Sequence, residues 1–324
     1  MRIFALNHER IVKHNVKYDK GIITYKMGIN VYTDMIASEL RIGSIVAAKL
    51  SKKEQNDKLF DNVVLPEDYD VYNDTDIPDS IDWRTRGAVS SVKNQLPCGN
   101  TNWYYNCLNG SNFMFLILGS CYAFSAIGAL EGQIFINTGK LVSLSAQEIV
   151  DCTKSYSNLG CEGGVIIAVY QYMYDNNGLS FDGSYPYDAT ESSCKLNDDM
   201  QKMITPSGKS IFLFDINEEQ LKNVVATQGP VSVGIEANDD FQHYASGIFY
   251  APKWKKEKMN HGVVIVGYGT DEITNKDYWI VKNSFGSQWG DEGYIKMSRN
   301  RENNCGITLH AIYPSMYKKK DAIH

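Results

Sequence analysis

Three side chains of types used in covalent catalysis stand at the ends of predicted helices and strands. Cys121, within GSCYAFS, begins an apolar helical stretch, where unpaired backbone N–H groups and the positive end of the helix dipole favour a thiolate over a thiol. His261 opens the apolar run HGVVIVGYG, and Asn283 follows the run DYWIVK. A thiolate, a histidine that transfers protons and an amide that orients its ring together predict nucleophilic catalysis by a cysteine.

The elements that must position these residues are indicated by hydrophobic periodicity. Residues 121–137 carry apolar side chains at helical spacing. Ser145 and Glu148 form a capping box that opens a second helix, and a third helix is predicted over residues 164–175. Beyond Pro230 the chain contains short β-branched and aromatic runs, typical of strands: VSVGIEA, HGVVIVGYG, DYWIVKNSF and GYIKMSR. A helical half followed by a strand-rich half predicts the α+β class.

The first 76 residues are polar and helix-like, and no chemistry is concentrated there. Apolar side chains such as Phe4 and Ile11 give them a loose amphipathic repeat. Residues 67–79, EDYDVYNDTDIPD, are acidic and poor in bulky aliphatic side chains, which indicates an exposed linker open to proteolysis. We place a domain boundary near Ile77.

Composition and charge exclude several classes of protein. At 324 residues, 43% of them hydrophobic, the chain is long and apolar enough for about two domains. Its 32 basic residues, against 38 acidic ones, are scattered, so no nucleic-acid surface is predicted. The longest apolar run, residues 113–118, is far shorter than the roughly 20 residues of a membrane helix. No Cys or His spacing matches a metal motif, so neither a metal nor another cofactor is expected. Four histidines are expected at the solvated surface: His8, His14, His243 and His324.

The cysteine count points to an oxidising compartment. Seven cysteines, an odd number, suit a disulfide framework with at least one free thiol. The opening MRIFALNHERIVKHN carries charges throughout and has no apolar stretch of signal-peptide length. Two explanations stay open: a cytosolic protein, or a chain whose start is missing.

Five short motifs in one order connect the candidate residues to a known family. VKNQ (ending at Gln95), GSCYAFS, GCEGG, NHGV and KNSFG resemble VKNQ, CGSCWAFS, GCNGG, NHAV and KNSWG of the papain family of cysteine proteases, and within it the cathepsin L branch. His261 follows Cys121 by 261 − 121 = 140 residues, within that family's roughly 130 to 150, and Asn283 follows by 283 − 121 = 162. The resemblance implies a papain-like α+β fold of two subdomains, a helical left half and an antiparallel, barrel-like β right half, preceded by a mainly helical propeptide.

The resemblance extends to the N-terminal segment. Two sets of residues match the second half of the ERFNIN helix and the GNFD motif of cathepsin L-type propeptides: Phe4, Asn7, Ile11 and Asn15, then Gly28, Asn30, Tyr32 and Asp34. The implied organisation is a propeptide over residues 1–76, truncated at its start, a peptidase domain over residues 77–316 and a basic tail over residues 317–324. The resemblance favours a missing start, and a lysosomal or secreted protein, over a cytosolic one.

The activity implied by the resemblance is that of a cysteine endopeptidase made as a zymogen. Cys121 and His261 would rest as thiolate and imidazolium, with Asn283 holding the ring. The Gln95 side-chain amide and the Cys121 N–H would stabilise the oxyanion on the way to an acyl-enzyme. The implied partners are protein or peptide substrates, the chain's own propeptide as inhibitor and cystatin-type inhibitors, and a monomer is expected.

The other cysteines and the substrate cleft are assigned by the same resemblance. It implies two disulfides: Cys98–Cys161 and Cys152–Cys194. Cys305 lacks its family partner and is expected to keep a free thiol unless it pairs with Cys107. Apolar walls favour an apolar substrate side chain at the second position before the scissile bond. The residues implied in substrate binding are Gly163, Gly164, Val165, Ile166, Gly234, Asn260, Trp289 and His310.

Three departures from the family pattern leave alternatives open. Tyr122 and Phe285 stand where the family has Trp, and the extra residues 100–119 separate Gln95 from Cys121. These departures support a second hypothesis, a catalytically silent papain-fold protein that acts as a binding or scaffold module. We interpret the insertion as translated intron, because its excision restores CGSCYAFS and its FMFLIL run would expose an apolar strip. The alternative is an ordered loop packed on the peptidase domain.

Overall fold

The chain consists of an N-terminal segment, a part that is mainly helical and a part that is rich in strands. The computed structural model describes residues 2–36, 63–64, 76–95, 98, 119–197, 200, 202–203, 209–254 and 259–315. Its α-helices are α1 Arg2–Asp19, α2 Cys121–Thr138, α3 Ala146–Cys152, α4 Ile166–Asp175, α5 Glu218–Gln228 and α6 Asp239–Gln242. Its strands are β1 Tyr25–Met27, β2 Val63–Val64, β3 Ile81–Asp82, β4 Leu179–Ser180, β5 Lys202–Met203, β6 Lys209–Phe214, β7 Val231–Ile235, β8 Tyr244–Phe249, β9 His261–Thr270, β10 Asp277–Lys282, β11 Tyr294–Ser298 and β12 His310–Ser315. The insertion up to residue 118, most of the predicted linker and the basic tail lie outside the described residues.

The predicted α+β class is confirmed by the arrangement of the strands. In the described part of the chain, one large sheet has the strand order β1-β8-β11-β10-β9-β7-β12-β6-β2, with β3 paired to β9, and β4 pairs only with β5. Most neighbours are antiparallel, while β8 with β11 and β2 with β6 are parallel. The path of strands is open, with β1 and β2 at its two ends. Strands β9 and β10 lie next to each other in this sheet, which brings the start of β9 near the end of β10.

Helix α2 is the central helix of the fold, and it is apolar on all sides. Twelve of its residues are buried, as expected for a helix enclosed by other elements. It contacts β7, β9 and β12 as well as α3 and α4. Gly139 ends it in the left-handed conformation, with φ 70°, and donates its N–H to Phe135 O. None of the helices in the described ranges is long and apolar enough to cross a membrane.

The N-terminal segment is attached to the sheet rather than lying free. Strand β1 pairs antiparallel with β8 and so extends the edge of the sheet. Helix α1 is tied to the strand by Asn15, whose amide N–H donates to Met27 O at 2.8 Å and whose Oδ1 accepts from Met27 N at 2.9 Å. Asn7 donates to the carbonyls of Thr33 and Met35. Asn15 therefore holds the helix against β1, and Asn7 holds it against the turn that follows.

Two hydrophobic clusters lie on either side of α2. One contains the inner faces of α2, α3 and α4, including Ile127, Ile149 and Tyr170. The other fills the strand-rich side and takes in side chains of the N-terminal segment, among them Ile11 and Tyr25. The N-terminal segment thus shares the core of the strand-rich part.

Both disulfides implied by the resemblance are present. Cys98 pairs with Cys161, and Cys152 pairs with Cys194, with Cα atoms 5.2 and 4.7 Å apart. Cys305 is fully buried and carries a free thiol. Cys107, its predicted alternative partner, lies outside the described residues.

Several sequence expectations need correction. Helix α4 begins at Ile166 rather than at residue 164, because Val165 takes an extended conformation as N-cap. The Ser145 hydroxyl does accept from Glu148 N at 2.9 Å, but the Glu148 carboxylate accepts from Tyr172 and Ser180 instead of completing the capping box.

Two of the histidines expected at the surface are covered. His243 is only 1% exposed, and its carbonyl accepts from Gly28 N of the N-terminal segment. His14 is partly buried, with its ring 4.5 Å from the Tyr25 ring. No sequence pattern indicates either contact. His243 is covered because β1 pairs with β8, and His14 because α1 packs against β1.

Candidate active site

Cys121 is the first residue of α2, as the sequence predicted, and β9 begins directly beside it. Gly262 donates its N–H to Cys121 Sγ at 3.3 Å. A Cβ atom at Gly262 would lie only 3.2 Å from Cys121 O, so a glycine suits this close approach of strand and helix. Because Gly262 follows His261, the contact fixes the start of β9, and with it the histidine, next to the sulfur.

His261 and Asn283 are brought together by the pairing of β9 with β10. His261 Nε2 lies 2.7 Å from Asn283 Oδ1. Asn283 Oδ1 also accepts from Ser284 N at 2.8 Å, which identifies it as the carbonyl oxygen of the amide. Nε2 must therefore carry a proton, and Nδ1 keeps its lone pair. Nδ1 is buried, and it has no hydrogen-bond partner among the residues that the structure describes.

The electrostatics of the covered site differ from the predicted ion pair. Cys121 and His261 are both fully buried. Burial lowers the pKa of His261 to about 4, against a smaller opposing effect of the Asn283 hydrogen bond. At neutral pH the imidazole is neutral in this form. Burial therefore disfavours the charged imidazolium in the covered site. The resting thiolate–imidazolium pair stays a prediction for the uncovered enzyme.

Gln95 is fixed by hydrogen bonds through its side-chain oxygen and its backbone N–H, while its side-chain Nε2 is left able to donate. Its Oε1 accepts from Ser284 Oγ at 2.6 Å, and its backbone N–H donates to Ser284 O at 2.9 Å. The side-chain Nε2 is buried and has no partner within the described part of the chain. A buried N–H group without a partner is rare. An oxygen that becomes negative during a reaction could accept from it.

The two aromatic departures keep aromatic surfaces around the site. The Phe285 ring is fully buried and lies 5.0 Å from the His261 ring, tilted by 33°. Tyr122 is also fully buried, and its hydroxyl donates to Gly160 O at 3.1 Å. A Cβ at Gly164 would come within 2.7 Å of the Tyr122 ring, so this glycine makes room for the aromatic side chain. The replacements therefore pack as part of the site.

The N-terminal segment reaches this aromatic wall. Tyr32 donates its hydroxyl to Phe285 O at 2.6 Å, with the two rings 6.0 Å apart. Gln242 donates to Tyr32 O at 2.7 Å and to Met35 O at 3.0 Å. Residues 30–36 therefore lie beside the histidine's aromatic neighbour.

Most residues predicted to bind substrate lie near the ends of β7, β9, α4 and β12. Gly234 pairs with Gly262 across β7 and β9, and Asn260 binds the backbone of Ala237 through both ends of its amide. Val165 packs against the cluster that contains Ile166. The structure gives no substrate contact for any of these residues, so their roles stay predictions.

His310 and Trp289 have surroundings that the sequence did not indicate. The His310 ring lies 5.8 Å from the Phe212 ring and 5.1 Å from the Phe214 ring. Trp289 is fully buried and donates its indole N–H to Gln242 O at 3.0 Å. A contact between Trp289 and substrate stays a prediction for a form in which the site is uncovered.

Two polar residues of the site were missed at the sequence level. Ser284 binds both Gln95 and the Asn283 amide oxygen, and its only signal is its place after Asn283 in KNSFG. The Tyr187 hydroxyl donates to Gln95 O at 2.7 Å and lies 2.7 Å from Ser120 Oγ. No motif or periodicity indicates Tyr187, because its partners are 92 and 67 residues away.

Comparison with known proteins agrees with this geometry. Residues 118–315 match the family described as papain family cysteine protease. The chain is 39% identical over 318 residues to a cathepsin L-like peptidase of Aedes aegypti, covering 97% of this chain and 86% of that protein. It is 40% identical over 319 residues to cathepsin S of Mus musculus, covering 97% and 83%. The structure of digestive procathepsin L 3 from Tenebrio molitor larval midgut matches with a TM-score of 0.79 at 35% identity, covering 97% of this chain and 90% of that one.

A chain with this fold, this site and these relatives belongs to the papain family of cysteine proteases. Within the family it is a cathepsin L-like cysteine peptidase. The family membership supports a peptidase and not the silent scaffold that Tyr122 and Phe285 had suggested.

Proposed function

We propose that this chain is the precursor of a cysteine endopeptidase in which Cys121 is the nucleophile, His261 the acid and base, and Asn283 the residue that orients the ring. The observation that carries the proposal is the Nε2–Oδ1 contact of 2.7 Å, which leaves His261 Nδ1 as a buried lone pair. The Gly262 contact with Cys121 Sγ keeps the two reacting groups side by side. Gln95 Nε2 and the Cys121 N–H are the proposed oxyanion donors.

The chemistry then follows from these roles once the site is uncovered. His261 Nδ1 takes the thiol proton, and the thiolate sulfur attacks the peptide carbonyl carbon, whose oxygen becomes negative and accepts from Gln95. When the carbonyl forms again, the C–N bond breaks and the leaving amine receives the proton from His261. Water gives a proton to His261 and attacks the thioester carbon. The C–S bond then breaks with its electron pair going to sulfur, the sulfur takes the proton back from His261, and the acid is released.

We propose the N-terminal segment, residues 1–76, as an inhibitory propeptide. Tyr32 contacts the Phe285 carbonyl, and the sheet edge at β8 is occupied by β1. Arg10 forms ion pairs with Asp239 and Asp240 at 3.0 and 2.5 Å. These pairs are partly exposed, so each contributes little alone. The segment is held mainly by its apolar side chains and its backbone pairing.

The expected substrate is a protein or peptide with an apolar side chain at the second position before the scissile bond. Support comes from the apolar surroundings of Val165 and Ile166, which belong to one hydrophobic cluster with Phe212 and Ile312. Cystatin-type inhibitors are proposed as further partners. A lysosomal or secreted location is proposed because the chain holds two disulfides, which persist in oxidising compartments.

The substrate proposal predicts a clear preference. The acid-treated chain should hydrolyse a peptide amide with Leu at the second position, with kcat/KM at least about tenfold above that for the same peptide with Asp there, since burying a charge in an apolar pocket is unfavourable. Matched fluorogenic peptides that differ only at this position measure it. Equal kcat/KM for the Leu and Asp peptides would contradict an apolar pocket for the second position.

The covered form should be weakened by acid. The folded pKa of His261, about 4, is below its ordinary 6.5, and burial lowers the pKa of His14 and His243 in the same direction. A histidine with a depressed folded pKa contributes its full stability above its unfolded pKa. That contribution is lost as the pH falls from about 6.5 towards about 4.

Hydrogen exchange on the full-length Cys121→Ala chain, which cannot cleave itself, measures this loss. Between about pH 7 and pH 4.5, protection of the α1 amides, corrected for intrinsic exchange, is expected to fall by at least about tenfold. The amides of α4, which packs against α2, β6 and β12, serve as the control. Unchanged α1 protection at the lower pH would mean that these histidines do not control the covering segment.

A further inference from the structure

The Tyr187 hydroxyl links two parts of the proposed oxyanion hole. It donates to Gln95 O at 2.7 Å and lies 2.7 Å from Ser120 Oγ. A phenol has one proton, and a carbonyl oxygen can only accept, so that proton goes to Gln95. Ser120 must then donate its own proton to the Tyr187 oxygen. The result is a directed chain of hydrogen bonds from Ser120 through Tyr187 to Gln95.

The two ends of this series of hydrogen bonds lie at the two proposed oxyanion donors. Ser120 directly precedes Cys121, whose backbone N–H is one donor. Gln95 supplies the other through its buried Nε2, which has no partner in the described residues. Donors of this kind act only when they are held within about 0.5 Å of the productive position. The Tyr187 link between Ser120 and Gln95 can therefore set the distance between the two donors.

Gln95 is held by hydrogen bonds with two other residues. Ser284 holds Gln95 on the side of Asn283, through Oε1 and the backbone N–H. Tyr187 holds Gln95 on the side of the nucleophile. The second contact continues to Ser120, the residue that precedes α2.

The Tyr187 ring is fixed independently of its hydroxyl. It packs edge-on against Phe124 of α2 at 4.9 Å and against the cluster of Cys98, Val150 and Cys161. Burial raises the pKa of Tyr187, so the hydroxyl keeps its proton at any pH at which the enzyme works. Removal of the oxygen alone should therefore leave the ring in place.

We infer that Tyr187 is a positioning residue of the oxyanion hole. Through the backbone carbonyl of Gln95 and the hydroxyl of Ser120, its own hydroxyl keeps the Gln95 side-chain amide and the Cys121 N–H at the distance that the developing oxyanion requires. The inference rests on the proposed roles of Gln95 and Cys121. Tyr187 itself touches neither the substrate nor the sulfur in this account. It acts through Gln95 and Ser120.

The test is Tyr187→Phe in the full chain after acid treatment, with Tyr185→Phe as the matched control. Tyr185 lies in the same loop, and its hydroxyl binds Asp151 and Lys195 instead. For Tyr187→Phe we expect kcat to fall roughly three- to tenfold with KM little changed, as for loss of a hydroxyl that only positions other groups. The Ki of a peptide aldehyde, whose tetrahedral thiol adduct places an oxygen in the hole, should rise by the same factor.

A third readout separates the oxyanion hole from general damage to the site. Alkylation of Cys121 by iodoacetate forms no oxyanion, so its rate should stay within about twofold in Tyr187→Phe. If alkylation slows as much as kcat falls, Tyr187 supports the nucleophile and not the hole, and the inference is wrong. If Tyr185→Phe lowers kcat as much as Tyr187→Phe does, the loop and not the hydroxyl is responsible, and the inference is again wrong.

A double-variant cycle distinguishes failure of this inference from failure of the proposed function. In a Gln95→Ala background, Tyr187→Phe should lower kcat by less than about twofold further, because the group that it positions is gone. Additive losses would overturn the inference. If Gln95→Ala alone leaves kcat unchanged, the proposed oxyanion hole fails. If it lowers kcat while Tyr187→Phe does not, only the positioning role fails.

Discussion

Replacing Cys121 by alanine is expected to lower kcat on a peptide amide by at least about 10⁴-fold, because the thiolate forms the covalent intermediate and no other group in the described part of the chain stands in its place. The fold should survive. The side chain is small, and its replacement removes the hydrogen bond that Gly262 N donates to the sulfur. We expect the midpoint of thermal unfolding to change by less than about 4 °C, the shift for roughly 1 kcal/mol in a domain of this size.

Cys305→Ala is the matched control. Cys305 is a second buried cysteine. Its thiol is free, and it lies in the cluster on the strand-rich side. The variant should keep wild-type kcat, although the cavity that it leaves lowers the stability of the fold. Turnover retained by the Cys121→Ala chain, or abolished only in Cys305→Ala, would mean that the chemistry is assigned to the wrong residue.

Gln95→Ala is expected to lower kcat by about 100-fold, the usual effect of removing one oxyanion donor. KM should change little, since the donor binds the transition state more strongly than the substrate. The pH dependence of kcat should keep its shape, because Gln95 does not titrate.

The Gln95→Glu variant distinguishes hydrogen-bond donation by the Gln95 side chain from a role in packing. Glutamate has the same shape as glutamine and can keep the acceptor oxygen for Ser284, but as a carboxylate it has no N–H to donate. It should be at least as slow as Gln95→Ala. A Gln95→Glu enzyme near wild-type kcat would show that the side chain fills space and does not stabilise an oxyanion.

The catalytic elements could be predicted from the sequence because each depends on local pattern. Helix α2 appears as an apolar helical repeat, and the strand that begins at His261 appears as a short β-branched run. The disulfides were inferred from the family resemblance and not from the spacing of the cysteines. The positions of Cys121 and His261 at the starts of their elements follow directly from these patterns.

What the sequence could not indicate depends on contacts between distant parts of the chain. Ser284 and Tyr187 support Gln95 through tertiary hydrogen bonds, and a hydroxyl residue carries no sign of its partner. His243 was expected at the surface, but pairing of β1 with β8 covers it. The lowered pKa of His261 is likewise a consequence of burial. Periodicity locates elements, whereas these properties arise only when the elements are packed.

The central claim is that Cys121, activated by His261, is the nucleophile of a peptidase that is covered in its precursor form. It is tested most directly by mass spectrometry of the chain after reaction with a peptidyl epoxide that alkylates active-site thiols. We expect one adduct per molecule, on Cys121, formed rapidly after acid treatment and slowly before it, and at a greatly reduced rate in His261→Ala. An adduct on Cys305 or Cys107, or equal rates of Cys121 labelling with and without His261, would contradict the account.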